Sequence, residues 1–166
     1  METTLKRASA IVVIGSIWLV AMMALPYVLF PKVEPTISFD DVDTGGFSGI
    51  GIRINYVIDD LETWETLWND IHNTSTSVPE TPFVNFTSEV VIAVFLGEFV
   101  TGGYLVQITR IIPSLTGFTV HVREEHPGPN CIVTMSITRP YHIVKAMIDS
   151  RQSIGFEYEI VIRNCL

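Results

Sequence analysis

Val90-Val-Ile-Ala-Val-Phe-Leu96 is an unbroken apolar run closed on each side by turn-forming residues. Seven such residues are too few for a typical helix, and they do not alternate with polar ones. A strand of this kind is covered on both faces, so it predicts a central strand with structure above and below it. Upstream, Ile50, Ile52, Ile54, Tyr56 and Ile58 alternate with Gly51, Arg53, Asn55 and Val57, the period of a half-buried strand. Leu61, Trp64, Leu67, Trp68 and Ile71 then recur at spacings of three and four, one apolar stripe on a helix. Asp59 is placed to cap that helix, with Glu62 three residues on as its reciprocal partner. The two Trp share a face with Leu67 and Ile71, which assigns them to the core rather than to a ligand platform.

Downstream, Tyr104 to Ile112 reads as a strand with Tyr104, Val106 and Ile108 on one face. Phe118, Val120 and Val122 alternate with Thr119, His121 and Arg123 in the next. Further strands are expected over Ile132–Thr138 and Tyr141–Met147. The last carries Phe156, Tyr158, Ile160 and Ile162 facing in. One strand, one helix and about six more strands give an α+β domain. Its sheet is expected to be mainly antiparallel, or a partial barrel or sandwich with one amphipathic helix.

The N-terminal part is of another kind. Ala8 to Phe30 contains no Asp, Glu, Lys, Arg or His over 23 residues. As a helix it would reach roughly 34 Å, enough for a hydrocarbon core of about 30 Å. A cleaved secretory signal is the competing reading. Its apolar region would be shorter, about 7–15 residues, and Met22 and Met23 interrupt the small residues Ala21 and Ala24. The preferred reading is an uncleaved transmembrane anchor, 8–30, with 1–7 in the cytoplasm. Residues 31–46 then form a linker, opened by the stiff Pro31-Lys-Val-Glu-Pro35 spacer, and 47–166 a β-rich domain. Lys6 and Arg7 precede the span, whereas Lys32 is accompanied by Glu34, Asp40, Asp41 and Asp43. The basic flank stays inside, so a single-pass protein of the cell membrane with its C-terminal domain outside is expected.

From Pro31 onward, eight Lys or Arg stand against seventeen Asp or Glu, a net charge of −9. Such a surface repels phosphate backbones, which argues against nucleic acid as a partner. Cys131 and Cys165 are the only cysteines. Outside the cytoplasm an isolated pair is expected to form a disulfide. His121, Glu124, Glu125 and His126 are the densest group of potential metal ligands, but their spacing is not that of a zinc helix motif. A solvated strand end is the preferred reading, with His126 in the Pro-Gly-Pro loop. No metal, cofactor, catalytic residue or small-molecule substrate is assigned, and the domain is expected not to be an enzyme. Asn73-Thr-Ser75 and Asn85-Phe-Thr87 match the N-glycosylation acceptor pattern. The Gly97–Tyr104 loop is the most unusual stretch. Its adjacent glycines suit either a plain turn or a recognition loop at Thr101, Gly102, Gly103 and Tyr104, because they let another chain approach closely.

The run Val91-Ile-Ala-Val-Phe-Leu-Gly-Glu-Phe-Val-Thr-Gly-Gly-Tyr104 resembles the C-terminal domain of the PrcB family. So do Arg123-Glu-Glu-His-Pro-Gly-Pro-Asn-Cys131 and Pro140-Tyr-His-Ile-Val-Lys145, and the order of elements agrees from about Ile50 to Cys165. That family takes its name from a subunit of a bacterial cell-surface protease complex, and its members are typically exported or membrane-anchored. The resemblance implies a non-catalytic accessory or interaction module that binds or stabilises an extracytoplasmic partner such as a surface protease, and carries over no catalytic residues. A weaker likeness is to chagasin-type cysteine-protease inhibitors. It rests on Thr101-Gly-Gly-Tyr104 and Arg139-Pro140-Tyr141, with Pro127-Gly-Pro129 between them. Gly stands for the second Thr of the first loop, the middle loop differs, and Tyr stands for Trp in the last. This likeness implies, as the alternative, direct inhibition of a cysteine protease.

Overall fold

In the structure, a computed structural model that describes residues 34–73 and 77–165, all seven residues of β3 (Val90–Leu96) are buried. Their parity divides the interior. Val90, Ile92, Val94 and Leu96 point into one apolar cluster, whereas Val91, Ala93 and Phe95 point into another. β3 therefore lies in the middle layer of three, as its unbroken apolar run requires.

Its sheet has four antiparallel strands in the order β1-β6-β3-β2, with β1 at Phe39–Gly45, β2 at Arg53–Ile58 and β6 at Tyr141–Ala146. Helix α1 (Leu61–His72) covers one face with Trp64, Leu67, Trp68 and Ile71. Both indole N–H groups donate to backbone carbonyls, Trp64 to Pro82 at 3.0 Å and Trp68 to Pro79 at 2.9 Å. These bonds tie the 79–82 segment to the helix. The other face carries a second sheet, β4-β5-β7, formed by Leu105–Pro113, Gly117–Pro127 and Ser153–Arg163. β4 and β5 are antiparallel, but β5 and β7 are parallel, because the chain crosses to the first sheet as β6 before returning.

The α+β class with one short helix stands, and neither sheet closes into a barrel. Several local expectations need correction. Asp60, not Asp59, caps α1: its carboxylate accepts from the Thr63 amide at 2.8 Å and the Thr63 hydroxyl at 2.7 Å. Leu61 falls before the buried stripe and is exposed, as is Ile52. The compact unit starts at Pro35, and the 31–46 stretch read as a linker contains β1, paired with β6. Three aspartates hid this strand; they suit an edge, as does the irregularity in its register between Asp41 and Asp43. Residues 132–138 form no strand and make a single bridge, Thr138 with Phe99. In β7, Phe156 and Tyr158 pack against the core, but Ile160 and Ile162 are exposed. The transmembrane expectation at 8–30 lies outside the described residues. Among the described residues no helix is long and apolar enough to cross a membrane.

A register shift keeps β4 amphipathic. Strict alternation from Val106 and Ile108 would turn Arg110 inward; the irregularity between Ile108 and Arg110 brings Ile111 in instead. Beside it, the Ile108 amide donates to Nδ1 of the buried His142 on β6, at 2.9 Å. An amide only donates, so Nδ1 is the unprotonated nitrogen and Nε2 carries the hydrogen toward Asp41, 3.1 Å away. One neutral imidazole thus links the two sheets. A protonated ring would have no acceptor for Ile108. Burial accordingly holds the His142 pKa below the ordinary histidine value, against the opposing pull of Asp41 and Asp43.

The folded pKa lies below the unfolded one, so this contribution is complete above about pH 6.5. It declines as pH falls from there toward the folded value. The urea midpoint should drop between pH 7.5 and 5.5. His142→Leu should lose about 1–3 kcal/mol at pH 7.5, from the orphaned Ile108 amide, and show a smaller fall on acidification.

Candidate interaction surface

The Gly97–Tyr104 loop is stitched to the 131–141 segment. Phe99 and Thr138 exchange backbone hydrogen bonds at 2.8 and 2.9 Å, and the Gly102 amide donates to the Thr134 carbonyl at 2.9 Å. The Thr138 hydroxyl donates to the Thr101 carbonyl at 2.8 Å. The glycines are explained by this packing. A Cβ on Gly102 would collide with the Thr134 hydroxyl, and one on Gly103 would lie 2.9 Å from Val133 Cγ1. Gly103 also has a φ of +93°, which a residue with a side chain rarely adopts. The chain that approaches so closely is therefore the protein's own.

Behind the loop, the inward face of β5 turns polar. Glu124 and His126 continue the line of Phe118, Val120 and Val122, a parity that was readable in the sequence. Glu124 is buried, and its carboxylate is held by Arg53 of β2 and by His126, whose Nε2 lies 2.6 Å away. Arg53 also lies over the Tyr158 ring, and the Tyr158 hydroxyl donates to Asn55 at 2.6 Å. The rings of Phe99 and Tyr104 stack at 3.8 Å with the His126 ring edge-on to both. This polar clamp joins the two sheets at their β2–β5–β7 corner. Both Glu124 carboxylate oxygens are thereby engaged, one by Arg53 and one by His126.

The residues singled out from sequence divide accordingly. Thr101, Gly103 and Tyr104 are only partly exposed, and Gly102 is buried. Arg139 is partly exposed and forms an ion pair with Glu98, at 2.6 and 3.0 Å from its two nitrogens. Pro140 is buried, and Tyr141 belongs to β6, stacked on Phe95 with its hydroxyl donating to Asp43 at 2.7 Å. Burial and the Asp43 carboxylate both raise the Tyr141 pKa. An inhibitor-type aromatic tip is thus not presented at Tyr141. His121 lies on the opposite face of β5 from Glu124 and His126, and His126 is part of the strand rather than of the following loop. Among the described residues no group of three or more potential ligands could hold a metal ion. Asn73 and Asn85 are both exposed; the Asn85 side chain accepts from the Thr87 amide at 3.2 Å within a turn. Cys131 and Cys165 form the expected disulfide.

The surface at this end is made by residues that sequence reading passed over. Antiparallel pairing of Phe99 with Thr138 sets Val100 beside Ile137, both exposed on the side away from the core. Ile137 and Phe47 line a shallow cleft of about 290 Å³ with Ser48 and Arg139. Met135 is exposed in the same segment. Both Met135 and Ile137 fall within the strand expected over Ile132–Thr138, where the structure forms no strand and leaves them exposed. Another cleft, about 600 Å³, lies at the other end of β3 and includes Asp59, Glu89 and Asp149. All three carboxylates are engaged, with Ser150, Lys145 and Arg151 respectively.

Residues 90–146 match the family model described as PrcB C-terminal. The match begins with β3 and ends with β6, and it includes both stitched loops, so the resemblance read from the motifs is borne out over this stretch. No curated protein and no solved structure matches the chain.

The disulfide closes 34 residues of sequence, from the stitched segment to the end of β7. Chain-entropy reasoning gives such a loop roughly 3.5–4 kcal/mol. The Cys131→Ser/Cys165→Ser variant should lose about that much in urea unfolding at neutral pH; an unchanged midpoint would show that the closure contributes nothing.

Proposed function

We propose that this protein is a non-catalytic accessory module, tethered to the membrane by residues 8–30, that docks a protease partner on the outer side. The observation that carries this reading is the set of exposed apolar side chains Val100, Met135 and Ile137, with Ile137 and Phe47 lining a shallow cleft. Val100, Met135 and Ile137 sit on the two loops that fall within the PrcB C-terminal match. Large apolar side chains grouped on a domain of strongly acidic composition mark an interaction site. The engagement of the polar groups behind that surface favours binding over chemistry. Tyr141, buried within β6, gives the direct-inhibitor alternative no support.

Two measurements test the proposal. In affinity capture with the full chain from its native membrane, a surface protease should be enriched, and Val100→Asp/Ile137→Asp should lose at least about tenfold of that enrichment. Equal capture by the variant, or no enriched protease, would count against the docking surface. For topology, a C-terminal reporter active only outside the cytoplasm should give signal. Activity of an inside-only reporter instead would overturn the orientation.

A further inference from the structure

The outer edge of β7 is open. β7 ends the three-stranded sheet, and no strand or bridge among the described residues pairs with its far side. Two of the other edges are better guarded: β1 by aspartates and an irregular register, β4 by a bridge to Ile37 and by His142. β7 instead runs 11 residues in unbroken register with β5, contains no proline or lysine, and leaves Ile160 and Ile162 more than half exposed. A long edge strand in regular register with exposed isoleucines invites another strand.

The backbone and the charges specify which strand. The Arg163 carbonyl accepts from Gly128, on the β5 side. Alternation along the strand therefore turns the amides and carbonyls of Tyr158, Ile160 and Ile162 outward. Among antiparallel pairings of β7 with a second copy of itself, those centred on Glu157, Tyr158 or Glu159 set glutamates opposite one another. Centring on Phe156 or on Ile160 gives the longest overlap without that repulsion, and of the two only the Ile160 register sets opposite charges against one another. It sets Ile160 against Ile160, Tyr158 against Ile162, and Glu157 against Arg163, each twice by symmetry except the first. The disulfide at Cys165 fixes the end of the strand two residues beyond Arg163.

We propose that two copies of the chain associate through their β7 edges in this register, joining the three-stranded sheets into one of six strands. The Glu157 carboxylate then exchanges its loose approach to His121, 3.5 Å, for the partner's guanidinium.

The test is sedimentation velocity of the full chain in detergent at micromolar concentrations. The unaltered chain should dimerise. Glu157→Arg and Arg163→Glu should each weaken self-association roughly tenfold, because like charges then oppose one another at two places. Mixing these two variants should restore the dimer, since each supplies the charge that the other lacks, and the double variant should dimerise alone. Restoration also shows that both single variants are folded. A monomeric unaltered chain, undiminished association of the single variants, or no recovery on mixing would overturn the proposal.

Discussion

Covering both faces of β3 is the constraint from which the architecture follows. A strand with seven consecutive buried residues needs a layer on each side, and one short helix can supply only one of them. The second layer must be another sheet, and its strands must come from the sequence that follows β3. Two of its three strands do come next, as β4 and β5. The chain then inserts β6 beside β3 before the third strand can join. The parallel β5–β7 pair is a consequence of that detour.

The two sheets are joined differently at their two sides. Near β4 and β6 the link is a hydrogen bond from a backbone amide to the buried His142 imidazole. At the β2–β5–β7 corner it is the buried Glu124 carboxylate, with Arg53 and His126 around it. Between these polar seams lies the aliphatic core of Ile92, Val94, Ile108, Val120 and Val144. The apolar filling is tolerant of exact position, whereas a committed imidazole or carboxylate is not. The seams therefore define how one sheet sits on the other.

The elements readable in the sequence were those whose side chains obey a period. β3, α1, β5 and β6 each present a run or stripe that burial explains directly. β1 was hidden because an edge strand with Asp40, Asp41 and Asp43 has the composition of a loop. Residues 132–138 had the composition of a strand but are exposed around Ile132, Met135 and Ile137, so their apolar character belongs to the surface. The paired glycines were legible as a place of close approach. Sequence could not say that the approaching chain was the segment 30 residues downstream, because that proximity is made by tertiary packing alone.

The parallel pairing of β5 with β7 also has a consequence in time. β5 has its antiparallel neighbour as soon as residues 105–127 are available, but its other edge waits for residues 153–163. During synthesis or passage across a membrane, that edge stays open until β6 has been placed in the opposite sheet. Contacts so far apart in sequence are slow to form. The domain is thus built to finish late: the third strand of its second sheet, the Tyr158 ring under Arg53 and the covalent closure at Cys131 all depend on the arrival of one strand.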